Sequence, residues 1–338
     1  MRGAACQSFF APALVGAVAC SCGGVACLLA ALVGRRDAFA RALAALEVVD
    51  QLLGADRPRL HRSTLFYSAL AASLTALYHG SLAVYKTLYK GDYVLFSLAS
   101  VVATVTAAQF ATLVTLLRHR FCLLNEALIS TFGASSDIWE EPNETWPFCA
   151  TKRTVTQRHT SVIGHHTLHR QCLYFEIIYK VLTHAASSVN DMYAVSIVAI
   201  VVQDFLLITG LAFYLLITVS SAAVLEVETL VDQSFIVFAV ARIVCLATAC
   251  ESAVSQAKRT TQLAEDILLF HRANGSEERV RELRNLARLS RRQPAAFSGG
   301  PLFSLDGRLL TALAGTVVTY TIILVQFLAS EAVQGCHR

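Results

Sequence analysis

Charge is scarce in this chain. Charged residues occupy 15% of its 338 positions, whereas soluble domains carry about a quarter. An ordinary soluble globular protein is therefore excluded. Catalytic fingerprints are missing too: there is no Walker loop, dinucleotide-binding glycine pattern, nucleophile elbow or pair of catalytic carboxylates. Nothing in the sequence speaks for an enzyme, and neither a cofactor nor a nucleic-acid partner is expected. The ten cysteines are not a disulfide framework. Cys20, Cys22, Cys27, Cys245 and Cys250 lie inside apolar blocks, where a thiol behaves as a small hydrophobe. The first three make a poor zinc site, because hydrocarbon supplies neither water nor a second shell of ligands.

Apolar residues fill the space left by charge. They make up 55% of the chain, and the mean hydropathy is +0.54. They fall into six blocks, at about 9–33, 64–85, 93–117, 193–218, 234–254 and 308–330. Each has roughly the 20 residues that a helix needs to cross a bilayer. The fold class is all-α, a polytopic transmembrane helical bundle of six visible spans with membrane lipids as its surroundings. The first block is too long, and too apolar to its end, for a typical signal peptide.

Basic residues set the orientation. The loop after the first span carries Arg35, Arg36, Arg41, Arg57, Arg59 and Arg62. The loops after the third and fifth are similarly basic, the latter running from Lys258 to Arg292. Between them, residues 86–92 hold only Lys86 and Lys90 as basic residues, and residues 219–233 hold Glu226, Glu228 and Asp232 with no basic residue. The positive-inside rule puts the three long loops in the cytoplasm and the carboxy terminus outside.

Those loops are largely helical in pattern. Leu43, Leu46, Val49 and Leu53 recur at helical spacing. Phe121, Leu124, Leu128 and Phe132 form one stripe over Arg118–Phe132. Residues 171–190, Lys258–Phe270 and Glu277–Arg292 are also amphipathic. Such stripes pack into a cytoplasmic bundle or lie on the anionic inner leaflet. Gly133–Thr160 lacks the periodicity and reads as a loop. Its sequon at Asn143, like the one at Asn274, falls on the cytoplasmic side and is expected to be unused. His159, His165, His166 and His169 cluster near this loop, but the other ligands of a metal motif are absent, so a solvated polar stretch is expected and no metal site.

Polar groups inside spans are expensive and mark candidate sites. They are His79, Gln109, Gln203, Asp204, Arg242 and Glu251. A long Arg242 side chain could reach Asp204, either as a structural ion pair or as part of a ligand cavity between spans. The last span is more distinctive still. Thr319 and Gln326 stack on one helix face, as Tyr320 and Phe327 do on the adjacent one. Copies of Gln326 round a symmetric axis would line a wet path. Within one subunit, Gln326 would instead bond between helices.

Thr319-Tyr320, five apolar residues and then Gln326-Phe327 resemble the carboxy-terminal signature of the insect gustatory receptors. Phe297, Gly300, Leu302, Phe303, Leu305, Asp306, Leu309, Leu310 and Gly315 resemble the stretch preceding that signature. Arg120-Phe121, Leu124-Asn125, Val189-Asn190 and Tyr193 are similar to family positions further upstream. The resemblance implies a tastant-gated, non-selective cation channel, a homo- or hetero-tetramer in the plasma membrane of a sensory dendrite. It implies a pore lined by the last span, with Gln326 and Phe327 near the constriction and Val325 and Ile322 beside them. Ligand candidates are His79, Gln109, Gln203, Asp204 and Arg242. Residues 1–254 would form the sensing spans, 255–307 the cytoplasmic anchor, and 308–338 the pore helix and external terminus. Sugar receptors of the family usually carry Glu after the Thr-Tyr pair. Thr321 stands there instead, which favours a bitter-type or orphan receptor. The family has seven spans and an interior amino terminus, so its first span is expected to be missing here through a truncated gene model or an isoform.

Two other classes fit less well. A G-protein-coupled receptor needs an interior carboxy terminus and normally shows D-R-Y and N-P-x-x-Y motifs, which are absent. A secondary transporter often has broken helices and inverted repeats. Here the later five spans contain no proline, and no repeat is visible.

Overall fold

The computed structural model describes residues 36–53, 94–132, 165–220, 227–274 and 277–335, together with Ser73. Among them are six helices: α1 (Arg36–Leu53), α2 (Val94–Phe132), α3 (His165–Ser220), α4 (Val227–Asn274), α5 (Glu277–Arg292) and α6 (Gly307–Gly335). The expected spans at 9–33 and, apart from Ser73, at 64–85 lie outside the described residues. The other four are present, in α2, α3, α4 and α6, each long and apolar enough to cross a membrane. The all-α polytopic bundle is thus the observed fold.

Three helices are far longer than a bilayer requires. With 39, 56 and 48 residues, α2, α3 and α4 extend about 59, 84 and 72 Å at 1.5 Å per residue, against about 30 Å of hydrocarbon. No proline interrupts them, so each span runs unbroken into its helical extension. One continuous core joins the two regions. It contains Phe110, Leu117, Phe121, Leu124 and Leu128 of α2, Tyr179, Leu182, Val189 and Ile197 of α3, and Leu283 and Leu286 of α5. On α4 small residues recur among the buried positions, at Ala247, Cys250, Ala253, Ala257 and Ala264, which lets α2 approach closely there. The amphipathic stretches therefore pack into a bundle instead of lying flat on the leaflet. α1 rests on α3, while α5 fits between α3 and α4.

Polar links fix the helix register in this bundle. Arg120 is fully buried and donates to Asp50 on α1 at 2.7 Å and to the Leu116 carbonyl at 2.9 Å. Asn125 of α2 donates to the Gln256 carbonyl on α4 at 3.1 Å, and accepts from Thr260 Oγ1 at 2.7 Å. Tyr179 Oη donates to the carbonyls of Ser290 and Gln293 at 3.4 and 3.3 Å, tying α3 to the end of α5.

A tight hairpin links α5 to α6. Gly299 donates to the Phe303 carbonyl at 2.9 Å and Leu305 to that of Phe297 at 3.0 Å. Gly300 has φ 60°, a left-handed conformation that favours glycine. Phe303 lies over Gly299 so closely that a Cβ there would meet its ring at 2.5 Å. Asn190 of α3 holds the hairpin by accepting from the Ser298 amide at 2.7 Å. Phe297 packs edge-on against Phe110, which also meets Tyr193. Most of the residues that carried the resemblance thus converge on the hairpin and the helices packed against it.

Candidate pore helix and intramembrane polar cluster

Asp306 starts α6. Its Oδ1 accepts from the Arg308 amide at 3.0 Å and its Oδ2 from Ser304 Oγ at 2.9 Å. This is helix N-capping by a carboxylate, which the helix dipole also favours. The Ser304 hydroxyl first, and then the backbone amides of Arg308 and Leu309, hold the Asp306 carboxyl below its usual range.

Beyond its base, α6 is only lightly attached. Of its most apolar stretch, 11% is buried within the chain, against 39%, 44% and 56% for the corresponding stretches of α4, α3 and α2. It leans on α3 and, less extensively, on α4. Thr321 is buried, and Tyr320 meets Phe205 of α3 edge-on with ring centroids 5.8 Å apart. These contacts define the side of α6 that faces its own bundle. Five residues on, Gln326 projects about 140° from Thr321, and Thr319 about 160°, at 3.6 residues per turn. Ala312, Gly315, Thr316, Thr319, Gln326 and Ser330 form an exposed stripe of small and polar residues on that far side. Thr316 and Thr319 bond the carbonyls of Ala312 and Gly315 at 2.7 and 2.8 Å, so their hydroxyls are satisfied within the helix. No hydrogen bond among the described residues reaches the Gln326 amide. Ile322, Val325 and Phe327 are also exposed.

The second cluster lies between α2, α3 and α4. Arg242 does reach Asp204. Its Nε donates to Oδ2 at 3.0 Å and its Nη2 to Oδ1. Nη1 donates to Thr104 Oγ1 at 2.7 Å and to the Ser100 carbonyl at 3.3 Å. All three guanidinium nitrogens are engaged, and both charged residues are buried. A buried pair of this kind survives only when its remaining groups are hydrogen-bonded, and α2 provides those partners. Ser100 and Thr104 escaped the sequence reading, because serine and threonine cost little in a span and carry no charge to flag them.

The remaining candidates separate. Gln203, next to Asp204, is buried, and its Nε2 has no partner. Thr209 Oγ1 is likewise buried and unpartnered. Gln109 is exposed on α2, about 140° round the helix from Thr104, so it does not join the cluster. Glu251 is exposed near the membrane base, its Oε2 facing Gly307. His79 lies outside the described residues. No group of three metal-binding side chains occurs among the described residues.

The sequence profile of the 7tm chemosensory receptor family matches residues 21–329, nearly the whole chain. The chain belongs to the 7tm chemosensory receptor family. That is a family of receptors and not of enzymes, and the receptor's apolar helices make it a membrane protein. Its fold is similar to the insect olfactory receptor OR5 from Machilis hrabei, with a TM-score of 0.53 and 14% identity over 90% of this chain and 80% of that one. The same OR5 in complex with eugenol gives a TM-score of 0.53 and 13% identity, over 93% and 87%. At that identity the likeness is one of fold. No curated protein matches the sequence.

Proposed function

We propose that this receptor is a gustatory receptor of the bitter-type or orphan class. It acts as a tastant-gated, non-selective cation channel in the plasma membrane of sensory neurons, with its carboxy terminus outside. Residues 308–338 supply the pore helix and external terminus, residues 255–307 the cytoplasmic anchor, and residues 1–254 the sensing spans. The observation that carries the reading is the far side of α6. An unpartnered Gln326 amide there would cost several kcal/mol in lipid, and it points away from its own bundle. Around an axis of several copies, the exposed stripe becomes the wall of an aqueous path. A ring of neutral amides suits non-selective permeation, since it offers oxygen dipoles without a fixed charge. Val325, Ile322 and Phe327 supply apolar neighbours for a gate that closes by dewetting. The eugenol complex of OR5 supports a small molecule as the opening ligand.

Replacing Gln326 with Ala tests this in cells expressing the receptor at the surface. Single-channel conductance or relative cation permeability is expected to change by about twofold or more at unaltered surface expression, as suits a group lining the path. Unchanged permeation would remove Gln326 from the pore.

A further inference from the structure

Gln203 is, with Thr209, one of two described side chains on α3 that are buried and left with an unsatisfied polar atom. It is 5% exposed and Nε2 has no partner, although Asp204, its neighbour in sequence, is paired in full. A buried amide without a partner costs stability. One turn outward, Leu207 packs with Phe235 and Ala239 of α4, flanked by Ile208 and Leu211. Leu207 and Gln203 lie about 40° apart on α3, so the amide and the apolar layer share one flank of the helix. Thr209 is about 120° away round the helix and belongs to another flank.

We infer that Gln203 is the specificity-determining hydrogen-bond donor of the receptor's ligand site, and that the ligand is a neutral, largely apolar molecule carrying a carbonyl or hydroxyl oxygen. This deepens, and rests on, the ligand-gated reading above. The ligand's oxygen accepts from Nε2, and its apolar body lies against the Leu207–Phe235 layer. Neutrality follows from the charges nearby. Asp204 and Arg242 use their oxygens and nitrogens on each other and on α2. A cationic or anionic ligand would therefore lose its hydration with no free counter-charge among the described residues of this cluster to replace it. An amide that lowers stability and still occupies a core position is the trade expected of a binding group.

Thermal unfolding of the full-length receptor in lipid nanodiscs tests the assignment, with four probes sharing one ring. Cyclohexanone is expected to raise the melting temperature more than methylcyclohexane at equal free concentration, whereas cyclohexylammonium and cyclohexanecarboxylate are expected to leave it unchanged. In Gln203→Leu the apparent affinity for cyclohexanone falls about tenfold, the loss of one hydrogen bond, to the level of methylcyclohexane. The ligand-free variant melts no lower than the wild type. Four results overturn the inference: equal shifts with cyclohexanone and methylcyclohexane, including none with either; a carbonyl preference that survives in Gln203→Leu; a shift with either ion; or a lower ligand-free melting temperature in the variant. The readout needs no current. Binding through Gln203 without conduction would keep this assignment and sink the channel reading instead.

Discussion

At the scale of single residues, the Asp204–Arg242 pair shows how a membrane protein holds charge in hydrocarbon. Two ions in that medium are tolerable only when the arrangement is complete, and here it is: two contacts join the pair, and two more anchor Arg242 to α2. Completeness implies an asymmetry between single and double substitution. Asp204→Leu strands the guanidinium and is expected to cost about 3–5 kcal/mol, whereas Asp204→Leu with Arg242→Met should fall within about 1–2 kcal/mol of the wild type. Thermal melts of the purified variants check this, and equal losses in both would mean that the charges are not coupled. The pair was legible in the sequence because two charges in neighbouring apolar blocks have few ways to avoid each other. The Ser100 and Thr104 contacts were not, because they depend on which face α2 turns toward α4. The isolation of Gln203 was equally hidden: whether an amide finds a partner is decided by tertiary packing.

At the scale of elements, the unbroken helices matter most. The amphipathic stripes after each span were visible as 3.6-residue periodicity, and the structure continues α2, α3 and α4 through them without a break. Their packing into a bundle was not decided by the pattern, since a leaflet would also satisfy an apolar stripe. It took the buried Asn125–Thr260 and Tyr179–Ser290 contacts to settle it. Among the described residues, a sharp change of direction falls at the hairpin before α6, where Gly300 supplies the left-handed residue and Asp306 restarts helix. That cap has a pH signature. Because the folded state holds the Asp306 carboxyl below its usual range, its stabilising effect is present above the ordinary carboxylate pKa and is lost as pH falls through the lowered value. The protection of the Arg308 and Leu309 amides against hydrogen exchange, taken relative to the intrinsic rate at each pH, is expected to fall on such acidification in the wild type. That protection should be low already at neutral pH in Asp306→Ala, where further acidification lowers it little. An exchange rate in Asp306→Ala that matches the wild type at neutral pH would show that the hairpin alone sets the start of α6.

At the scale of the whole molecule, the four described spans are not equal. α2, α3 and α4 bury much of their surface in one another, while α6 stands at the margin. An apolar helix can face lipid all round at no cost, so exposure alone says nothing about assembly. The distribution of polarity is what argues for it. Small and polar residues gather on the side of α6 opposite Thr321 and the Tyr320–Phe205 contact, where Gln326 needs a partner or water. Lipid supplies neither, and a symmetric ring supplies both. Cysteines placed on the two sides should therefore behave differently. Gln326→Cys is expected to give oxidant-induced, disulfide-linked dimers in native membranes, because in the proposed assembly copies would meet across the axis. Thr321→Cys is expected to give none, because its side chain is enclosed by its own subunit. Both variants carry the same native cysteines, so background cross-linking cancels in the comparison of non-reducing gels. Equal cross-linking at the two positions, or cross-linking only at Thr321→Cys, would mean that α6 turns its other face to the axis. The pore wall would then have to be drawn from Tyr320 and its neighbours instead of Gln326.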